Sequence, residues 1–262
     1  MLVPDTGNKV LEVVNARISF GGVHALNDVS CHINAGELCG LIGPNGAGKT
    51  TLFNCITRLC DLAEGGVYFL GKDITAEPKR DIVGVGIART FQDLGLFADM
   101  SVWENVMLGV HHARRDGFFS ALYRPALAKA EEARCSTWCH QVMQELSIDH
   151  LAARRAGDLP YGTLKRVELA RALAAKPKLL LLDEPAAGLA QSEAAEFGGL
   201  LRRLRNRFSI TILLVEHNMR LVMSVCERII VLHLGQKLAE GTPADIQSDE
   251  RVVNAYLGGA SR

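Results

Sequence analysis

The sequence predicts an α/β fold with a mostly parallel sheet, on three observations. Short continuous apolar runs alternate with stretches of helical period. One such run, Leu38 to Ile42, leads into the glycine-rich segment GPNGAGKTT, Gly43 to Thr51. Another, the four leucines Leu179 to Leu182, leads into Asp183 and Glu184. Runs apolar at every position suit strands buried on both faces, and polar residues just past them fall at the ligand-binding edge of such a sheet.

In chain order, Leu11 to Phe20 and Val29 to Ile33 read as strands joined through the turn at Gly21 and Gly22. They predict a small antiparallel sheet ahead of the glycine-rich loop. Phe20, at the end of the first strand, suits a core aromatic or a stacking platform for a base. After the loop, Leu52, Phe53, Ile56 and Leu59 recur on one helix face. Gly66 to Leu70 is a short strand, and Asp73 to Arg80 a turn into a polar helix start. Ile87 to Phe91 reads as a strand ending at Gln92, whose amide suits either a solvated loop or a ligand to magnesium or water.

From Leu94 to Asp158 the character is helical, with helices over Trp103 to Val110 and Ala126 to Leu146 and a loop carrying Arg114, Arg115, Phe118 and Phe119. Leu164 to Ala175 is a helix ended by Pro177, and Ser192 to Arg207 another, with Ser192 as its cap and Gly198 and Gly199 weakening it. Ile210 to Val215 is a buried strand followed by Glu216 and His217. Ile229 to Leu234 and Lys237 to Glu240 pair round Gly235, and short helices over Pro243 to Leu257 follow.

Composition narrows the function. The 262 residues carry 29 Lys plus Arg against 29 Asp plus Glu, so there is no basic footprint for nucleic acid. No apolar run approaches a membrane span, and Met1 to Gly7 does not read as a signal peptide, so a cytosolic chain is expected. Seven cysteines without a CxxC pair suit reduced thiols. Cys135, Cys139 and His140 invite a metal reading, but Cys135, Trp138, Cys139, Val142 and Leu146 share one apolar helix stripe, which favours buried thiols over zinc.

The chemistry of GPNGAGKTT is that of a phosphate loop. Gly43, Gly46 and Gly48 let successive N–H groups surround an anion, and the following helix adds its positive end. Lys49 offers a cation to phosphate oxygens, and the Thr50 hydroxyl suits magnesium bound to the same oxygens. Thr51 adds a further hydroxyl or N–H. Asp183 suits magnesium held through water, Glu184 a base for attacking water, and His217 either a structural role or a donor to the γ-phosphate.

With these pieces in order, the chain resembles the nucleotide-binding domains of ABC transporters over nearly its whole length. Gly43 to Thr51 is similar to Walker A, Gln92 to the Q-loop glutamine, Leu179 to Pro185 to Walker B with its catalytic carboxylate, and His217 to the switch histidine. Phe20 matches the base-stacking position, and Leu159 to Leu173 stands in the place of the signature and its helix. FGGVHAL (Phe20 to Leu26), RTFQ (Arg89 to Gln92), ENVMLG (Glu104 to Gly109), VEHNM (Val215 to Met219) and AYLG (Ala255 to Gly258) resemble the ATP-binding subunit of branched-chain amino-acid importers, the LivG type.

The resemblance implies a P-loop NTPase of ABC type: one domain over 9–262, a helical subdomain inserted at 93–176, and terminal helices over 243–262. ATP is implied on Phe20, Gly43, Pro44, Asn45, Gly46, Ala47, Gly48, Lys49, Thr50 and Thr51, and Mg2+ on Thr50, Gln92 and Asp183. Catalysis is implied to rest on Lys49, Gln92, Glu184 and His217, with Tyr161, Gly162 and Thr163 facing a partner's site. The implied partners are a second ABC ATPase subunit, two membrane permeases and, indirectly, a periplasmic binding protein, at the cytoplasmic face of the inner membrane and without nucleic acid. Leu94, Leu96, Phe97 and Met100 lie where relatives receive the permease, although core packing suits them equally.

Three positions depart from the family pattern. Pro160 and Thr163 stand where the family reads serine and glutamine in LSGGQ, and Ala190 where a polar residue follows the Walker B segment. Proline brings neither hydroxyl nor N–H, which implies a weak signature here and a heterodimer whose partner carries the better one. Lipopolysaccharide or lipid export is the transport alternative, and a soluble ABC ATPase for DNA repair or translation the alternative outside transport. A GTPase is disfavoured because the chain has no NKxD motif.

Overall fold

The computed structural model describes residues 8–91, 93–110 and 125–257. Gln92, the loop with Arg114, Arg115, Phe118 and Phe119, and Gly258 of the AYLG segment lie outside the described residues. The strands are β1 Lys9–Phe20, β2 Val23–Asn34, β3 Leu38–Ile42, β4 Glu64–Phe69, β5 Lys72–Asp73, β6 Ile87–Arg89, β7 Leu179–Asp183, β8 Thr211–Val215, β9 Arg228–His233 and β10 Gln236–Gly241. The helices are α1 Lys49–Ile56, α2 Ile82–Val85, α3 Val102–Leu108, α4 Pro125–Glu145, α5 Tyr161–Ala174, α6 Gln191–Phe208, α7 Met219–Val225, α8 Pro243–Ser248 and α9 Glu250–Leu257.

Two sheets result. One is antiparallel, in the order β2-β1-β4-β5; the other has the order β10-β9-β3-β8-β7-β6. In the second, β9, β3, β8, β7 and β6 run parallel, and β10 closes the edge by antiparallel pairing. Because successive strand residues point to opposite faces, the apolar runs feed two cores at once. Leu179, Leu181, Cys39, Leu41, Leu213 and Val215 pack toward the antiparallel sheet and α1. Leu180, Leu182, Leu38, Ile42, Ile212 and Leu214 pack toward the helices on the other face. The strand β7 is therefore buried at all five positions.

Several local expectations shift. The second strand starts at Val23, because the ladder with β1 runs down to the Phe20–Val23 pair even though its tip is exposed. Leu59 is half exposed and lies beyond α1, which ends at Ile56. The helix α5 starts at Tyr161, not Leu164: the Pro160 carbonyl accepts from Thr163 and Leu164 N–H and opens the first turn. At α6 the cap position is Ala190, not Ser192, and the Ala190 N–H donates to the Glu193 carboxylate at 2.8 Å. Gly198 has a packing role: a Cβ there would come within 2.6 Å of Leu221 and 2.7 Å of Val225, so its absence lets α6 and α7 touch. In α4 and just past its end, Cys139, Val142 and Leu146 are buried together, burial pushes the Cys139 thiol up to about 11, and His140 stacks on Trp103 with centroids 4.4 Å apart.

Candidate nucleotide site

The C-terminal ends of the three adjacent parallel strands β3, β8 and β7 bring three segments to one edge. Register pairs Leu41 with Val215 and Val215 with Asp183, so the phosphate loop, Glu216–His217 and Asp183–Glu184 leave the sheet side by side. Gly43 turns out of β3 at φ +152, and a Cβ there would stand 2.1 Å from the Leu232 carbonyl. Only glycine fits this exit. Gly48 then caps α1 in the left-handed region, and the helix starts at Lys49.

The Lys49 side chain folds back over the loop: Nζ donates to the Gly43 carbonyl at 2.7 Å and to the Pro44 carbonyl at 3.0 Å. Burial lowers its pKa, opposed by the charges of Glu184 and Asp183. Thr50 is exposed in the first turn of α1 and Thr51 half-buried, while Asn45 and Gly46 are open at the loop's tip. Pro44 is half-buried and Ala47 buried beneath them.

Asp183 closes β7 and is only 5% exposed. Its Oδ2 accepts from Arg89 Nη2 at 2.7 Å. Glu184 follows at φ +48, an uncommon conformation for a residue with a long side chain, fixed by its N–H donating to the Val215 carbonyl at 2.9 Å. There its Oε1 lies 2.6 Å from His217 Nε2. Glu216, buried beneath, accepts through Oε1 from Ala186 N–H (2.7 Å) and through Oε2 from His217 and Asn218 N–H (3.0 and 3.2 Å). One carboxylate thus holds the backbone on both sides of the Glu184–His217 pair.

Phe20 stands at the end of β1 with half its surface exposed, which suits a platform better than a core residue. The residues on either side of Gln92 are held from behind: Phe91 N–H donates to Glu168 Oε1 at 2.8 Å, and Arg171 Nη1 and Nη2 donate to the Gly95 and Leu94 carbonyls at 2.7 and 3.0 Å. Both side chains come from α5, and burial raises the Glu168 pKa. Phe97 and Met100 are exposed, whereas Leu96 packs on the core.

Tyr161, Gly162 and Thr163 form the first turn of α5. They lie against the loop that follows Glu184: the Tyr161 ring meets Gly188, and Gly162 faces Leu189 and Glu193. Sequence reading had no role for Arg89, Glu216 or Glu168. It also missed Tyr256 of α9, whose pKa is raised by burial and pulled back by the nearby Gly43 backbone. The visible signal for Arg89 and Glu216 was a charge beside an apolar strand.

Comparison with known proteins agrees with this geometry. Residues 26–187 match the family model "ABC transporter", and residues 236–261 match "Branched-chain amino acid ATP-binding cassette transporter". The chain is 40% identical over 255 residues to the high-affinity branched-chain amino acid transport ATP-binding protein LivG of Salmonella typhimurium, covering 96% of this chain and 98% of the relative. It is 37% identical over 251 residues to BraF, the corresponding protein of Pseudomonas aeruginosa, with coverage of 96% and 98%. Among solved structures, the ADP conformation of MJ1267, an ATP-binding cassette of an ABC transporter, superposes with a TM-score of 0.83 at 35% identity over 95% of this chain and 99% of that one. A full-length match in sequence and fold to such cassettes means that the chain belongs to the ABC transporter family, as one of its ATP-binding and ATP-hydrolysing subunits.

Proposed function

We propose that this subunit energises import of branched-chain or related amino acids, as one half of an ATPase dimer docked on two membrane permeases and served by a periplasmic binding protein. LivG and BraF, which it resembles over their whole length, are named for that transport, and the match of 236–261 to a branched-chain model favours import over lipid export. The domain is read as one unit over 9–262, with 93–176 as its helical part and 243–262 as its terminal segment. Among the described residues no helix is long and apolar enough to cross a membrane, which is consistent with a peripheral subunit at the cytoplasmic face.

The observation that carries the chemistry is the 2.6 Å contact between Glu184 and His217 beside the phosphate loop. Phe20 stacks the base, and the backbone of Gly43 to Thr51 receives the phosphates. Lys49 exchanges its two carbonyl partners for phosphate oxygens. Glu184 takes the proton from attacking water, and His217 orients Glu184 and donates to the γ-phosphate. The Thr50 hydroxyl and the Asp183 carboxylate are hard oxygen donors of the kind Mg2+ prefers, with Gln92 as the third candidate. When bound, that ion supplies charge neutralisation at the β- and γ-phosphates.

Tyr161, Gly162 and Thr163 serve the ATP held by the partner subunit, with α5 offering N–H groups but Pro160 no hydroxyl. Affinity purification from membranes tests the whole reading. Recovery of two permeases and a second ABC subunit, together with amino-acid uptake lost on Glu184→Gln, is the expected outcome; recovery of a lipid-export assembly, DNA or ribosomes overturns it.

A further inference from the structure

Arg89 ends β6 three residues before Gln92 and makes more polar contacts than its place in a short strand requires. Nη2 donates to Asp183 Oδ2 at 2.7 Å, and Nη1 donates to Asn54 Oδ1 at 2.7 Å, with Thr57 Oγ1 at 3.4 Å. The guanidinium lies 5.4 Å from the centre of the Phe53 ring and 5.3 Å from that of Phe91. The side chains of Arg89 and Asp183 are each 7% exposed.

A buried pair of this kind is weak evidence for stability, because removing both charges from water costs more than a surface pair returns. The cost is aggravated here. Arg89 Nε is buried with no hydrogen-bond partner among the described residues. What the arrangement does achieve is geometric. Asn54 stands four residues after Thr50, on the same face of α1 and one turn further along. One rigid fork therefore holds the helix that carries Thr50 and the strand end that carries Asp183.

We propose that Arg89 is a positioning residue that sets the spacing between Thr50 and Asp183 for a bound divalent cation, and fixes which Asp183 oxygen faces it. With Oδ2 taken by Arg89, Oδ1 would be the Asp183 oxygen left to accept from a bound ion's water. The ring of Phe91 on the guanidinium, and the Phe91 N–H on Glu168 of α5, tie this spacing to the segment round Gln92. Lysine cannot replace the fork, because a single ammonium does not span both acceptors. The inference rests on Thr50 and Asp183 as the metal-side groups.

The test measures binding, not turnover: affinity of the full chain for a non-hydrolysable ATP analogue, in Mg2+ and in EDTA. Partners that orient a metal's ligands are worth about 10–100-fold in metal affinity. Arg89→Lys is expected to lose about tenfold of the Mg2+-dependent gain while its affinity in EDTA stays at the wild-type value. Asn54→Ala, which leaves the Asp183 contact in place, is expected to lose a smaller share of that gain, and it decides the matter if Arg89→Lys does not fold. Undiminished Mg2+ gain in these variants overturns the proposal, as does equal weakening with and without Mg2+, which marks a general structural staple. A wild-type chain that gains nothing from Mg2+ overturns the metal reading itself, whatever Arg89 does.

Discussion

The two regions of this subunit proposed to meet ATP are built to different standards. At the edge formed by β3, β7 and β8, charged side chains are held by several partners: Glu216 by three backbone N–H groups, Glu184 by His217 and by its own fixed backbone. At the start of α5 the helix opens on a proline with no side-chain cap, and Tyr161 leans on Gly188. The first region is specified in depth by this chain alone. The second offers the N–H groups of a helix's first turn, with no capping side chain to fix them. Composite sites assembled from such halves are unequal wherever the partner's signature is better.

That inequality is best challenged at Glu184, the proposed base. Glu184→Gln keeps shape and removes the base, so turnover by the assembled complex should fall by about 10²–10⁴-fold with ATP still bound. The matching substitution in the partner should cost much less, and steady-state ATPase assays giving equal losses would break the comparison. His217→Ala comes next, with an expected loss of about 10²-fold in turnover and little change in nucleotide affinity by fluorescence titration. If affinity falls as far as turnover, the histidine acts only through its bond to the γ-phosphate and the reading of it as an orienting group fails.

Smaller effects test the weaker end. Pro160→Ser combined with Thr163→Gln restores a hydroxyl and an amide, each worth about 0.5–1.5 kcal/mol as a hydrogen bond. Turnover at the partner's site should rise a few-fold, and unchanged turnover would mean that the proline is no handicap. The smallest effect concerns Glu168, whose pKa burial holds above the usual carboxylate value of 4.5. A folded-state pKa above the unfolded one means that the folded protein binds protons more tightly, so this group's stabilising effect is complete below about pH 4.5 and is lost as pH rises through the raised value. Glu168→Gln keeps an acceptor for Phe91 and removes the buried charge. Its melting temperature should exceed wild type by about 2 °C at pH 7, with the difference disappearing below about pH 4.5.

The strong region was also the legible one, for physical reasons. Continuous apolar runs over Leu179 to Leu182 and Ile210 to Val215 announce strands buried on both faces, and the polar residue after each announces the edge. What stayed hidden was pairing across the chain. Arg89 and Asp183 are 94 residues apart, and Glu216 reaches Ala186 across 30, distances no local pattern encodes. The early start of α5 was hidden because proline, glycine and threonine are poor helix formers, yet the Pro160 carbonyl nucleates the turn. Gly198 was misread because a missing side chain looks like weakness until the helix that needs the space is in view.

The alternation of β7 between two cores has a last consequence. Leu179 and Leu181 belong to the compartment under the phosphate loop, Leu180 and Leu182 to the one under α3, α5 and α6, and the same five backbone amides serve both. A strand shared in this way is a common wall, and whatever steadies one room steadies the other. Nucleotide binding should therefore slow amide hydrogen exchange in α5 as well as in the phosphate loop, in a monomer with no partner present.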